Sequence, residues 1–323
     1  MYDFISIGEM LIDFTPCGVS EGGAPLYQPN PGGAPANAAC VMAKLGRKAA
    51  FIGKVGADVF GASCKKALED AGCDSRYLVF SETLGTTLAF VTLSPDGNRD
   101  FSFYRNHTTA DVSLSPADIP AEAYGGAKIF HFGSVSLTQN PSRSTVLAAV
   151  KRAKGQGALI SYDPNYRVPL WRSPKQAKAA ILEGLPLCDM LKISDEEQRF
   201  LFDDLPEDAV GELLHSQYGI ALAVITKAKN GCTAYLNGKR YDSPAYDVKT
   251  VDTTGAGDSF WAGLLLRLLE SGKQLDMLSD SEVAGMLQFA NAVGSLVTAK
   301  KGAIAAVPSR EEIEACIREG KVL

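Results

Sequence analysis

Asp252-Thr253-Thr254-Gly255-Ala256-Gly257-Asp258-Ser259-Phe260 runs straight into the apolar-rich stretch Trp261–Leu269. Glycines just ahead of a helix pattern leave backbone N–H groups pointing outward at the helix N-terminus, where they bind anions. Gly255 and Gly257 let the backbone approach such an anion closely. Asp258, in the first turn, is the carboxylate placed to meet it. A plain turn with Asp258 as a capping residue fits the same letters, so the local pattern leaves both readings open. A second Gly pair, Gly32-Gly33-Ala34-Pro35-Ala36-Asn37, leads into a helix pattern over Ala38–Leu45 that stops at Gly46. Asn37 offers a donor and acceptors, which suits neutral polyols; an ordinary loop and helix start reads the same way.

Working outward, apolar strands are predicted at 4–8, 49–53, 128–132, 158–162, 189–193 and 222–226. Helical patterns fall between them, near 34–46, 58–71, 141–155, 174–183 and 206–217. That alternation implies βαβ units and an α/β fold with a mostly parallel sheet covered on both faces. The last third is helical, at about 256–270, 281–299 and 309–319. Two segments interrupt the alternation. Residues 10–31 are rich in Gly and Pro and have no helix period. Residues 85–105 read as two strands, Thr86–Leu93 and Asp100–Tyr104, joined by the turn Ser94-Pro95-Asp96-Gly97-Asn98. These segments form either loops, an irregular hairpin, or a small β-layer that projects from the sheet edge as a lid.

Composition narrows the function classes. The chain has 323 residues, enough for about two domains or one large α/β domain with an attachment. Its net charge is 32 − 37 = −5, without the basic excess of a nucleic-acid binder. Seven scattered cysteines, never spaced C-x-x-C, and three distant histidines give neither a zinc-ligand spacing nor a disulfide framework. Reduced thiols in a cytoplasmic protein are the simplest reading. The N-terminal Met1–Gly8 stretch lacks a basic region and a cleavage site and reads as a first strand. The uncharged run 283–299 carries Gln288, Asn291, Ser295 and Thr298, so it reads as a buried helix and not a membrane span. No G-x-x-x-x-G-K-[ST] and no complete G-x-G-x-x-G occurs.

Taken together, Gly32-Gly33-x-x-x-Asn37-x-Ala39 with Leu45-Gly46, and then Asp252–Phe260, resemble the two signatures of the PfkB-type (ribokinase-like) carbohydrate kinases. Further stretches resemble the fructokinase branch: Gly8–Phe14, Pro31–Asn37, Ser161–Arg167, Lys192–Glu197 and Lys300–Ile304. The resemblance implies a ribokinase-like three-layer α/β sandwich spanning 1–323, with lid segments at about 10–33 and 84–108. It implies transfer of the γ-phosphoryl group of ATP, with Mg²⁺, to a sugar hydroxyl, and fructose as the sugar. Other readings in the same fold are a 2-keto-3-deoxygluconate kinase, an aminoimidazole riboside kinase, and a catalytically silent sugar-binding relative.

By the resemblance, Asp258 is the catalytic base, and Gly255, Ala256 and Gly257 form the anion hole. Asp13, Gly33 and Asn37, with Gly32 beside them, match sugar-binding positions, joined by Phe103, Arg105 and Arg167. Asn165, Lys192, Thr226, Lys227, Ala228, Gly231 and Asn291 match the nucleotide side. Glu197 matches the acidic end of the N-x-x-E motif that orients Mg²⁺ through water, with Ser194 in place of the Asn. Asp252, Thr254 and the carbonyls near Val297, Lys300 and Gly302 match a potassium site; Ala306 stands where some relatives supply a Ser. Lids of such kinases often pair, so a homodimer is expected with Leu88, Phe90 or Val91 near the interface. No nucleic-acid or membrane partner is expected.

Overall fold

The computed structural model describes residues 1–93 and 99–323, and the side chains of all of these except 92, 93 and 99–101. In chain order the first strands are β1 (Tyr2–Ile7), β2 (Leu11–Val19), β3 (Pro25–Gly32), β4 (Ala49–Gly56), β5 (Leu78–Ser81), β6 (Thr87–Leu93) and β7 (Arg99–Tyr104). They are followed by β8 (Ala127–Gly133), β9 (Leu159–Asp163), β10 (Met190–Ser194), β11 (Leu222–Thr226), β12 (Cys232–Leu236) and β13 (Lys239–Ser243). The helices are α1 (Ala34–Lys44), α2 (Val59–Asp70), α3 (Ser142–Gly155), α4 (Pro174–Gly184) and α5 (Asp195–Phe202). Four more complete the chain: α6 (Glu207–Tyr218), α7 (Ala256–Ser271), α8 (Asp280–Val297) and α9 (Arg310–Glu319).

Side chains alternate across a strand, and here both sides are apolar. Phe4, Phe51, Ile129 and Val224 pack into one core with α1, α7 and α8. Their sequence neighbours Ile5, Ile52, Phe130 and Ile225 pack into a second core with α3, α4 and α6. Burial on both faces is why these strands read as continuous apolar runs. The main sheet has the order β13-β12-β11-β10-β9-β8-β1-β4-β5. It is parallel from β5 to β11, and β12 and β13 append antiparallel. The expected three-layer α/β sandwich is therefore what forms. The run 283–299 lies largely in the buried α8, and among the described residues no helix is long and apolar enough to cross a membrane.

A second, four-stranded sheet has the order β3-β2-β6-β7. The segment 10–31 resolves into the hairpin β2–β3, and β6 pairs antiparallel with β7 as expected. The predicted turn 94–98 lies outside the described residues. β2 and β6 pair in parallel, setting Asp13 opposite Ala89, which in turn faces Phe103 on β7. Those three residues share one face. On the other face Phe14 stacks on Phe90 at 4.7 Å and meets Phe60 of α2 edge-on at 5.7 Å. The chain passes from β1 into this small sheet through Gly8-Glu9-Met10.

Candidate active site

Three loops converge at the C-terminal ends of the parallel strands, the usual ligand position in such sheets. The first is the entry to α7. Gly255 sits at φ 75°, and a Cβ there would overlap Ala303, so only glycine fits. The Ala256 N–H is taken by the Thr253 carbonyl at 3.2 Å, leaving the N–H groups of Gly255 and Gly257 as outward donors. Asp252 braces the turn from below: its Oδ1 accepts the Thr254 N–H at 2.8 Å and its Oδ2 the Gly302 N–H at 3.1 Å.

The second loop is the start of α1. Gly33 has φ 116° and lies so close to the Glu9 carbonyl that a Cβ would collide with it. One turn on, the Asn37 Nδ2 donates to Asp258 Oδ2 at 2.8 Å. The third follows β9, where Asn165, in the left-handed region at φ 52°, donates from Nδ2 to Asp258 Oδ1 at 2.8 Å. Asp258 is thus buried and oriented by two amides from opposite sides. Asn37 Oδ1 is buried with no partner, an acceptor left open beside this carboxylate.

Two cavities meet on the α7 entry. One, of about 620 Å³, is lined by Glu9, Asp13, Gly33, Asn37, Phe103 and Arg167 together with Asn165, Gly255 and Asp258. Gly32 stands beside it, its Cα turned to the Asp13 carboxylate. Burial pushes the Asp13 carboxyl up to about 7, against the pull of Arg167. The other cavity, of about 630 Å³, is lined by Lys192, Ser194, Thr226, Ala228, Gly231 and Asn291. Glu196, Thr253 and Gly257 line both. At the junction the Lys192 Nζ donates to Asp163 Oδ2 at 2.7 Å and lies beside Gly257. Burial opposes the charge on Lys192, but Asp163 and Glu197 more than offset it and hold its pKa above the ordinary lysine value.

A pocket for one ligand, a pocket for another, and a helix N-terminus with a held carboxylate between them is an arrangement for group transfer. The family model for pfkB family carbohydrate kinases matches residues 1–310. The chain belongs to the pfkB family of carbohydrate kinases. It is similar to Fructokinase-1 of Oryza sativa subsp. japonica, 43% identical over 313 residues that span 96% of this chain and 95% of that one. A fructokinase from Xylella fastidiosa with bound ATP matches with a TM-score of 0.91 at 30% identity, covering 99% of both chains. A fructokinase double mutant from Vibrio cholerae O395, holding fructose, ADP and a potassium ion, matches with a TM-score of 0.87 at 31% identity over 98% of each chain.

Not every expected residue of this pfkB-family kinase reaches a cavity. Arg105 turns away: its Nε donates to Asp111 Oδ2 and its Nη1 to Thr138 Oγ1, both at 2.6 Å, in a pair almost wholly shut off from solvent. Its own carboxylate partner has claimed it, which the sequence around 105 does not reveal. Lys227 likewise spends its Nζ on Glu207 and Thr233, at 2.9 and 2.6 Å. Glu197 is buried and accepts backbone N–H groups on both oxygens, from Tyr166 at 2.6 Å and Ser194 at 2.7 Å. Ser194 returns a bond to the Glu197 N–H, so the two form a capping box at the start of α5. The carboxylate that faces both cavities is the neighbouring Glu196. Asn291 lines the nucleotide-side cavity with its amide donated to Ser243 Oγ at 3.0 Å. Around the Asp252 loop, the Val297 carbonyl accepts the Lys300 N–H at 3.4 Å, the Lys300 ammonium pairs outward with Glu312, and Ala306 is buried. Two carboxylates of the first cavity, Glu9 and Glu196, escape the sequence reading. For Glu196 the signal is the acidic run Asp195-Glu196-Glu197 at a strand end; Glu9 lies within the Gly8–Phe14 stretch.

Proposed function

We propose that the chain transfers the γ-phosphoryl group of ATP to the 6-hydroxyl of D-fructose, giving fructose 6-phosphate and ADP. The observation that carries this reading is the meeting of two cavities at the α7 entry. Fructose lies in the cavity of Asp13, which holds two vicinal hydroxyls, with Gly33, Asn37 and Arg167 around it and Phe103 over an apolar face of the ring. Asp258, fixed by Asn37 and Asn165, takes the hydroxyl proton as the oxygen attacks, a role worth about 10²–10⁴ in rate. The Gly255 and Gly257 N–H groups and Lys192 meet the charge on the transferring group, where positioning and electrostatics dominate. ATP fills the second cavity, its adenine near Asn291 and its phosphates toward Gly257.

A magnesium ion suits the junction: Glu196 lines both cavities, and Asp163, behind them and paired with the cavity residue Lys192, keeps a buried Oδ1 without a partner. Magnesium keeps several waters and takes one or two carboxylates beside nucleotide phosphates, and its chemistry there is to neutralise phosphate charge. A potassium ion at the 252–254 loop is part of the same proposal, supported by the potassium in the Vibrio cholerae structure. So is a reducing, cytoplasmic setting, supported by seven free cysteines.

The neutral sugar is favoured over an acidic one by charge. Glu9, Asp13, Glu196 and Asp258 line the sugar cavity against Arg167, while Arg105 is committed to Asp111. The proposal includes a homodimer through the outer face of the small sheet, where Phe90, Tyr27 and Tyr104 cluster and Tyr104 is 63% exposed. Val91 falls on the Asp13 side of β6 and is buried, so Phe90 and Leu88 are the interface residues of the expected three. ADP release with ATP-Mg²⁺ across fructose, ribose, 2-keto-3-deoxygluconate, aminoimidazole riboside and adenosine tests the substrate. Fructose is expected to give the highest kcat/KM; higher turnover of another sugar, or of none, refutes it.

A further inference from the structure

Glu9 is a buried carboxylate that the fold holds only weakly. It stands at the C-terminal end of β1, where the chain leaves the main sheet for the small one, and it is 3% exposed yet lines the sugar cavity. Besides its own backbone N–H, the group within hydrogen-bond reach is the Ser136 Oγ, at 3.4 Å from Oε2. That is well beyond the usual O–H···O length.

Among the described residues, each of the other buried carboxylates is held by short protein hydrogen bonds, although Asp163 keeps its Oδ1 without a partner. Glu197 has two backbone N–H groups, Asp252 has two, and Asp111 takes Arg105, Thr87 and Thr109. Asp163 has the Lys192 ammonium, and Asp258 has two amides. A carboxylate kept in the interior for structure alone is paired in this way, because leaving it without donors is costly. Burial accordingly pushes Glu9 up to about 7, with Arg105 pulling it down and Asp111 and Asp258 pushing it further up. Arg105, the nearby cation, is spent on Asp111 and Thr138, and its Nη2 is buried without a partner. Asp13, on the same cavity, is raised to about 7 by the same cause.

We propose that Glu9 is a further sugar-binding residue, which accepts a hydroxyl of the substrate other than the one that Asp258 deprotonates. Among the described residues its donors are its own backbone N–H and the long Ser136 contact, and a neutral polyol in the cavity it lines brings more. An acidic sugar brings a second negative charge to the same place, so Glu9 also rejects carboxylated substrates. This rests on the sugar-kinase reading above and names a determinant of its substrate class.

Glu9→Gln in the full chain tests the assignment, because Gln keeps the shape and loses the charge. With ATP-Mg²⁺, the fructose KM is expected to rise about 5- to 15-fold, the difference between a charge-assisted and a neutral hydrogen bond, while the ATP KM stays within about twofold. A panel of monodeoxy-fructoses supplies the readout that a merely structural role would not move. One of them should lose at least about tenfold in kcat/KM relative to fructose with the native chain, and less than about threefold with Glu9→Gln. An unchanged fructose KM, or an equal loss on every sugar together with a raised ATP KM, overturns the proposal. Should Glu9→Gln fail to fold by thermal melting, Glu9→Asp, which shortens the carboxylate arm by one methylene, is judged by the same split. If the native chain fails to phosphorylate fructose, the fructose reading is refuted, and Glu9 is judged on the neutral sugar of the wider panel that is turned over.

Discussion

Asp258→Asn separates the chemistry of the site from its architecture. In the native chain both Asp258 oxygens accept amide N–H groups at 2.8 Å, from Asn37 and Asn165. An Asn at 258 places an NH₂ against one of those donors. Asn37 has a remedy: its Oδ1 is buried and without a partner, so rotating its amide by half a turn presents that oxygen to the new NH₂. The hydrogen-bond count at 258 is then kept, and the loss in folding stability stays near the ~1 kcal/mol of a single neutral bond. Catalysis has no such remedy, since an amide cannot take the hydroxyl proton. A fall of about 10²–10⁴ in kcat is expected, which is about 2.7–5.4 kcal/mol at the transition state. The assay is steady-state ADP release beside a thermal melt, with ATP binding measured separately by calorimetry. A folded variant with kcat within about tenfold of native refutes the base assignment. A variant that loses ATP affinity as sharply as turnover refutes the separation of base from nucleotide site.

Asp13 carries a pH prediction. Its carboxyl is raised from 3.8 to about 7 by burial, so the folded state holds a proton that the unfolded state gives up, and this group weakens the fold as pH rises from about 4 to about 7. Asp13→Asn removes that penalty, so its melting temperature should gain on the native chain by more at pH 8 than at pH 5, while fructose affinity falls and ATP affinity holds; a gain independent of pH contradicts the burial argument. Potassium should raise kcat modestly over sodium or choline at matched ionic strength, by ordering the 252–258 turn, and equal rates in all three salts remove the cation site. Light scattering should give a dimer that Phe90→Asp or Leu88→Asp dissociates, and a native mass near 34.3 kDa discards the interface.

The parallel sheet was legible because each of its inner strands is apolar on both faces, and the helices because their apolar stripes fall between those strands. β12 and β13 were not read, although Asn237-Gly238 between them, with φ of 49° and 81°, is a tight hairpin turn in plain sight. The hairpin β2–β3 resisted reading for a physical reason: its Gly and Pro mask the period-two pattern, and its pairing with β6 is made by residues far along the chain. Asp258 and its two amides lie 221 and 93 residues apart from one another in sequence, so motifs named them but only the fold could join them. Arg105 and Glu9 mark the limit. Whether a charged residue serves the fold or the cavity depends on which partner claims it, and Asp111 claims Arg105 while nothing comparable claims Glu9.

The central claim is that the 6-hydroxyl of fructose meets the phosphoryl donor on Asp258. Phosphorus NMR of the product formed from fructose and ATP-Mg²⁺ tests this most directly, because the coupling to neighbouring protons identifies the esterified carbon. The arrangement predicts fructose 6-phosphate as the product, accumulating in step with ADP. A phosphate on any other carbon, or ADP released with no sugar phosphate at all, would contradict it.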